Sequence, residues 1–298
     1  MRNKLSIKFI ILTIVNNGGL FMDKHVIEAL GRAKITVQDG KVVDVGEPMI
    51  EYCPLFHKHR GIEKLTPEEI EKNIQFRIDD FGMCTKDRVL RLKDFLSFGI
   101  SEILSTLLDD GLIDCAVMVC EGCGTVLITE SELAQGVGGR VSGLVETSPI
   151  PELIEEFSPN HIVDGETAII DQVEGFKLAI ENGYENIAVT IAFPEDGIIL
   201  RELEKEYDDV NLYLFAVHTT GLSREESELM FDVSDAVTAC ANKHLRDIAE
   251  EEDIFSVGTS IPIYGASEKG EEFIKLRLDK IGGPKKKTGN SKHPYPLI

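Results

Sequence analysis

The chain has 298 residues, 43% of them hydrophobic and 28% charged, which is enough for one or two domains with substantial buried cores. Its formal net charge is −21, which disfavours nucleic acid and anionic membrane as partners, since both require a basic face. Six cysteines spread over a chain of this size point to a reducing, cytoplasmic setting and away from a small disulfide scaffold.

Residues 1–21 join a basic start to an apolar run at 9–15. That run is shorter than the ~20 residues that span a bilayer, and no small-x-small cleavage pattern follows it. The segment reads as a disordered upstream extension from a misplaced start codon, with Met22 as the credible start. A genuine export signal is the alternative. Residues 23–32 read as a short helix. Asp39-Gly40, between two alternating apolar runs in 33–45, predicts a hairpin. Residues 52–59 read as an irregular loop broken by Pro54. Thr66-Pro-Glu-Glu predicts a helix entry, with Thr66 as N-cap, Pro67 at the first position and Glu69 closing a capping box. Ile70, Ile74 and Ile78 give that helix its apolar stripe.

Further on, a helix at 97–108 stops at Gly111 and feeds an apolar strand at 113–119. The strand runs into Cys120-Glu-Gly-Cys123-Gly, and strand-like residues follow from 124. Gly136–Gly143 reads as a glycine-rich turn, with a short helix opening after Thr147. From there helices (171–182, 195–207, 223–231 and one near His244) alternate with strands (187–192, 211–217, 236–240). The expected fold is α/β, a mostly parallel sheet with helices on both faces, preceded by a small N-terminal helix and a β-hairpin. The expected organisation is 1–21 as extension, 22–80 as an N-terminal region packed on the core, 81–281 as the α/β core and 282–298 as a mobile tail.

In a parallel α/β sheet, ligands bind outside the carboxyl ends of the strands. Here those ends carry Cys120 to Cys123, Phe193-Pro-Glu195, His218-Thr-Thr-Gly221 and Cys240 to His244. Cys120 and Cys123 have the spacing of a redox pair or of half a metal site. Cys240 and His244, or Cys84, Cys53, His57 and His59, are weak candidates to complete a metal site. The bland reading makes Cys115 and Cys120 small core residues. Gly138, Gly139, Arg140 and Ser142 suit an anion, which makes a phosphorylated small ligand a candidate. A tight loop needing positive φ explains the same glycines. His218 and Glu195 are acid–base candidates by position. The residues identify no cofactor and leave open whether the chain is an enzyme.

Several blocks together resemble the methanogenesis marker protein 8 family of methane-forming archaea. They are Glu28-Ala-Leu-Gly-Arg-Ala-Lys, Tyr52-Cys-Pro-Leu-Phe, Phe76-Arg-Ile-Asp-Asp-Phe-Gly-Met, the stretch from Ile113 through Cys120-Glu-Gly-Cys123-Gly-Thr-Val, Gly136-Val-Gly-Gly-Arg-Val-Ser-Gly and Thr147-Ser-Pro-Ile-Pro. The resemblance runs from about residue 22 to 281. It implies a cytoplasmic archaeal protein tied to methanogenesis. The role it suggests is helping to mature or activate methyl-coenzyme M reductase, with a protein partner in that system. A fainter likeness, carried by the stretch from Phe98 to Asp114 and by Thr129-Glu-Ser-Glu-Leu, is to the beta subunits of deazaflavin-reducing hydrogenases. There cysteines ligate an iron–sulfur cluster, where Glu195 and Ala216 stand here. Those replacements argue against such a cluster and leave a flavin- or deazaflavin-linked redox enzyme as one alternative. A thiol or metal carrier using Cys120 and Cys123 is the other.

Overall fold

The computed structural model of the protein describes residues 23–93, 98–140, 143–283 and 292–298. Ser142 and the segment 1–21 lie outside them. In chain order the strands are β1 (Lys24–Ala29), β2 (Ala33–Gln38), β3 (Lys41–Val45), β4 (Cys115–Cys120), β5 (Gly124–Ile128), β6 (Leu144–Thr147), β7 (Asn186–Ile191), β8 (Asn211–Ala216), β9 (Ala236–Thr238), β10 (Ser256–Val257) and β11 (Ile263–Gly265). The helices are α1 (Pro54–Arg60), α2 (Pro67–Phe81), α3 (Ile100–Asp109), α4 (Ser131–Gly138), α5 (Pro151–Ile154), α6 (Gln172–Glu181), α7 (Pro194–Glu204), α8 (Arg224–Val233), α9 (Lys243–Glu251) and α10 (Glu268–Lys280).

Two sheets result. A small antiparallel one has the order β3-β2-β1-β6, and a larger mixed one the order β10-β11-β9-β8-β7-β4-β5. The large sheet is parallel only through its middle, at β4/β7, β7/β8 and β8/β9. Antiparallel partners flank that middle, β5 beside β4 and β11 with β10 beside β9. The mostly parallel sheet read from the alternation is therefore too simple. The strand β4–β5 connection is a tight hairpin, which periodicity alone does not distinguish from a crossover.

The parallel strands follow one another in a single direction, β4, β7, β8, β9. Right-handed crossovers in one direction put their helices on one face. Accordingly Phe176 of α6, Leu200 of α7, Met230 of α8 and Leu245 of α9 share a core with Val117, Val189, Leu214 and Val237. The other face is covered by Leu104 of α3, Ala134 of α4 and Ile274 of α10, packed on Ala116, Met118, Val126 and Phe215.

Local expectations fare unevenly. Residues 23–32, expected helical, contain β1. This strand is paired on both sides, by β2 and β6, and cross-strand packing overrides the local pattern. The hairpin turn forms as expected, with positive φ at Asp39 (47°) and Gly40 (69°). Residues 52–59, expected as a loop, enter α1, because Pro54 at the first helical position starts a helix without losing a needed N–H. Thr66 caps α2 by accepting from Glu69 N at 3.3 Å, while the Glu69 carboxylate turns to Lys72, so only half of the capping box forms. Ser223 and Glu226 form a full box at α8. Residues 292–298 belong to the expected mobile tail, yet Tyr295 pairs with Tyr52 and Lys243 N donates to the Ile298 carbonyl.

The glycine-rich turn is the clearest correction. Gly136 and Gly138 lie inside α4. A Cβ at Gly136 would stand 1.7 Å from the Leu90 carbonyl oxygen, so this glycine permits close packing and does not form an anion-binding loop. Gly136→Ala is expected to lower stability by about 1–3 kcal/mol through overpacking against a backbone that has no rotamer to yield. Urea unfolding measures it. Wild-type stability would show that the 88–91 segment moves freely away from α4.

Candidate functional site

The small sheet lies across the carboxyl ends of β4 and β8. Two polar clusters occupy the seam. At the β4 end, the hairpin turn presents Glu121-Gly-Cys123. Gly122 N donates to Thr147 Oγ1 at 2.7 Å, and Ile150 N donates back to the Gly122 carbonyl at 2.8 Å. Glu121 and Arg88 form an ion pair with both side chains at most 1% exposed, Arg88 Nε to Glu121 Oε1 being 2.5 Å. Arg88 Nη2 also donates to the Gly136 carbonyl at 2.8 Å.

His25 of β1 sits in the same seam, wholly buried, with Nδ1 2.6 Å from Thr147 Oγ1. Thr147 Oγ1 accepts from Gly122 N and shares one proton with His25 Nδ1, in a direction set by the histidine tautomer; the other ring nitrogen is Nε2. That atom lies 2.7 Å from Asp23 Oδ1, in an alignment too poor for a hydrogen bond. Burial pushes His25 below the usual histidine range, against the opposing pull of Asp23 and Glu121. The second Glu121 oxygen, Oε2, has no hydrogen-bond partner among the described residues.

The thiols are enclosed here. Cys120 and Cys123 are both 0% exposed within the apolar core. Cys123 hydrogen-bonds the Cys120 thiol and, with burial, holds it well above the ordinary cysteine range. Cys84 is also fully buried and raised, by burial first and then by Glu121. A thiol held protonated and shielded from solvent is neither a ready nucleophile nor a ready metal ligand. Among the described residues, no group of three or more His, Cys, Asp or Glu side chains is arranged to hold a metal ion. Cys240 precedes the first residue of α9, so it does not share a helix face with His244. Burial raises the Cys240 thiol, against the Thr219 and His218 amides aimed at it.

The second cluster stands at the β8 end. His218 Nε2 is 2.8 Å from Glu28 Oε2, and Arg32 Nε donates to the same oxygen at 2.8 Å. Arg32 Nη1 reaches the Thr220 carbonyl at 2.5 Å. Both His218 (φ 58°) and Arg32 (φ 62°) hold left-handed backbone, and such strain gathers at sites where neighbours over-determine the geometry. Gly143 must be glycine, since a Cβ there would stand 2.5 Å from the His218 ring and 2.4 Å from the Glu28 carbonyl oxygen. Hydrogen bonding to His218, then to Arg32, holds the Glu28 carboxyl down to about 2. This dyad is partly open to solvent, with 12% of the His218 side chain and 24% of the Glu28 side chain exposed.

Of these residues, His218 is legible in the sequence from its place after an apolar strand, whereas Glu28, His25, Arg88 and Glu121 are not. Glu28 and Arg32 share one side of a β-turn, and their partner is 190 residues away, so no local signal joins them. Glu195 stands exposed at the second position of α7, and no hydrogen bond or ion pair joins it to His218 among the described residues. Gly138 and Gly139 end α4. Arg140 stacks on Phe81, its guanidinium 4.5 Å from the ring centroid, with Asp80 at 3.8 Å.

Residues 25–279 match a family described as uncharacterized protein conserved in archaea (DUF2099). An uncharacterized protein of Methanocaldococcus jannaschii is 44% identical over 285 residues, covering 93% of this chain and all of that relative. No described helix is long and apolar enough to cross a membrane.

The depressed Glu28 carboxyl has a definite pH signature. Its ordinary value is 4.5 and its folded value about 2, so its stabilisation is complete above about pH 4.5 and is lost as pH falls from there toward 2. Glu28→Gln is expected to cost about 2 kcal/mol at neutral pH, the scale of a charged hydrogen bond. Its acid limb should then be shallower than that of the wild type in urea titrations from pH 7 to 2. Equal slopes would sink the assignment.

Proposed function

We propose that this chain, which belongs to the DUF2099 family of proteins conserved in archaea, is an accessory protein of methane formation. In this reading it binds a protein partner in the methyl-coenzyme M reductase system and assists maturation or activation of that enzyme. The finer placement, within the methanogenesis marker protein 8 family, is part of the same reading. It rests on the sequence blocks around Glu28, Tyr52, Phe76, Cys120 and Gly136.

The observation that carries the accessory role over a thiol or metal carrier is the burial of Cys120 and Cys123. Both side chains are 0% exposed, and the Cys120 thiol is pushed well above its ordinary range by Cys123 and by burial. A carrier must expose a thiolate to load and unload its cargo. Here the hairpin instead uses Glu121 and Gly122 to fasten the two sheets together, so the Cys-Glu-Gly-Cys stretch acts as architecture.

Two measurements bear on the reading. Under native conditions Cys120 and Cys123 should resist a thiol-alkylating reagent, labelling only after denaturant is added, with mass spectrometry locating the label. Rapid native labelling of either would favour the carrier. Pull-down with the full chain from an extract of a methane-forming archaeon should enrich the reductase or its activation machinery. No enrichment of either would count against the accessory role.

A further inference from the structure

The chain carries a net charge of −21, yet four guanidinium groups gather at one place. Arg60 ends α1, Arg77 lies in the last turn and a half of α2, Arg88 follows α2, and Arg140 follows α4. Their aromatic contacts hold them together. The Phe81 ring has Arg88 at 4.8 Å and Arg140 at 4.5 Å from its centroid. Arg60 lies 4.5 Å over Phe76, and Arg77 lies 5.5 Å over Phe56. Arg77 Nη1 donates to the Arg140 carbonyl at 3.0 Å, so these two positions are adjacent.

Among the described residues, counter-charge is scarcest at Arg77. Arg88 is committed to Glu121. Arg140 has Asp80, at 3.8 Å. Arg77 is only 9% exposed, and among the described residues its hydrogen bonds go to two neutral oxygens, Asn73 Oδ1 and the Arg140 carbonyl. A buried guanidinium held by neutral acceptors alone is costly unless an anion approaches it. Burial and the neighbouring charge of Arg60 together bring Arg77 down to about 10. Arg60 also opposes Arg140 and His59. On the same helix as Arg60, the buried His57 Nδ1 has no hydrogen-bond partner among the described residues. Arg77 is thus a buried member of the cluster, beside the exposed Arg60 and the partly exposed Arg140.

We propose that Arg60, Arg77 and Arg140 form a binding site for a multiply charged oxyanion carried on a small molecule. Guanidinium forks match phosphate and carboxylate oxygens in geometry as well as in charge. The site is independent of the accessory role: a protein that assists another enzyme can bind such a ligand or do without it. It also relocates the anion site. The glycines at 136 and 138 do not supply it; the helices α1 and α2 do.

Arg60 gives the site an unusual test, because it is exposed and its removal spares the core. Without a ligand, Arg60 sets its charge against Arg77, Arg140 and His59 while it stacks on Phe76. With an anion bound, it attracts. Arg60→Gln should therefore weaken anion binding by about tenfold, the loss of one charged contact. Pyrophosphate and citrate are the probes, titrated calorimetrically into the full chain at matched ionic strength, with sodium chloride as control. Tighter binding of pyrophosphate assigns a phosphorylated ligand, and tighter binding of citrate a polycarboxylate. The proposal is overturned if neither probe binds or stabilises the wild type beyond the chloride control. It is equally overturned if Arg60→Gln leaves the affinity unchanged. Arg140→Gln should weaken binding in parallel, and unchanged affinity there would remove Arg140 from the site.

Discussion

The buried Arg88–Glu121 pair is the constraint on which the rest of the structure turns. Glu121 is the tip of the β4–β5 hairpin, and Arg88 belongs to the link after α2. The remaining Arg88 donors reach the Val89 and Gly136 carbonyls, the second of these in α4. One guanidinium therefore ties the small-sheet layer, the hairpin and a helix of the large layer. Taking two charges out of water is unfavourable, and removing one partner alone leaves an uncompensated charge. Such a pair specifies one arrangement of the layers more than it adds to stability. Its surroundings conform to it. Leu90 presses its carbonyl against α4 where only glycine fits, and the next hairpin residue, Gly122, is fastened by Thr147 of β6.

That seam changes the meaning of the strand ends. In a sheet whose parallel strands reverse order, the carboxyl ends open a crevice for ligands. Here β4, β7, β8 and β9 proceed in one direction, and the small sheet covers the ends of β4 and β8. The chemistry-bearing groups gathered at those ends thus face protein. Cys120 and Cys123 are core, His25 is a buried spacer between Thr147 and Asp23, and His218 with Glu28 keeps an edge in solvent. The guanidinium groups of Arg60 and Arg77 lie instead on α1 and α2, with Arg88 and Arg140 beside the Phe81 ring.

Much of the local structure was legible in the residues. The Asp39-Gly40 turn, the Thr66 and Ser223 caps, the Ile70/Ile74/Ile78 stripe and the strands β4, β7 and β8 follow from periodicity and capping chemistry. The small sheet was half legible: its hairpin was, whereas β1 looked helical because its partner β6 lies more than a hundred residues along the chain. Of the site, His218 was visible as a polar residue after an apolar strand. Arg77 left a signal that went unread, a charged residue on the buried side of α2 between Ile74 and Phe81.

The sequence by itself determined many of the elements, the acidic balance and the presence of reactive side chains at strand ends, because turns, caps and apolar spacing act over a few residues. Only the tertiary structure decided which of those side chains meet and which are sealed. Burial and charge pairing depend on segments brought together, Arg88 with Glu121 and Glu28 with His218. The stretch around Cys120 shows the difference. Its residues suggest redox chemistry, while the desolvation of both thiols and the ion pair at Glu121 make it the joint between two sheets.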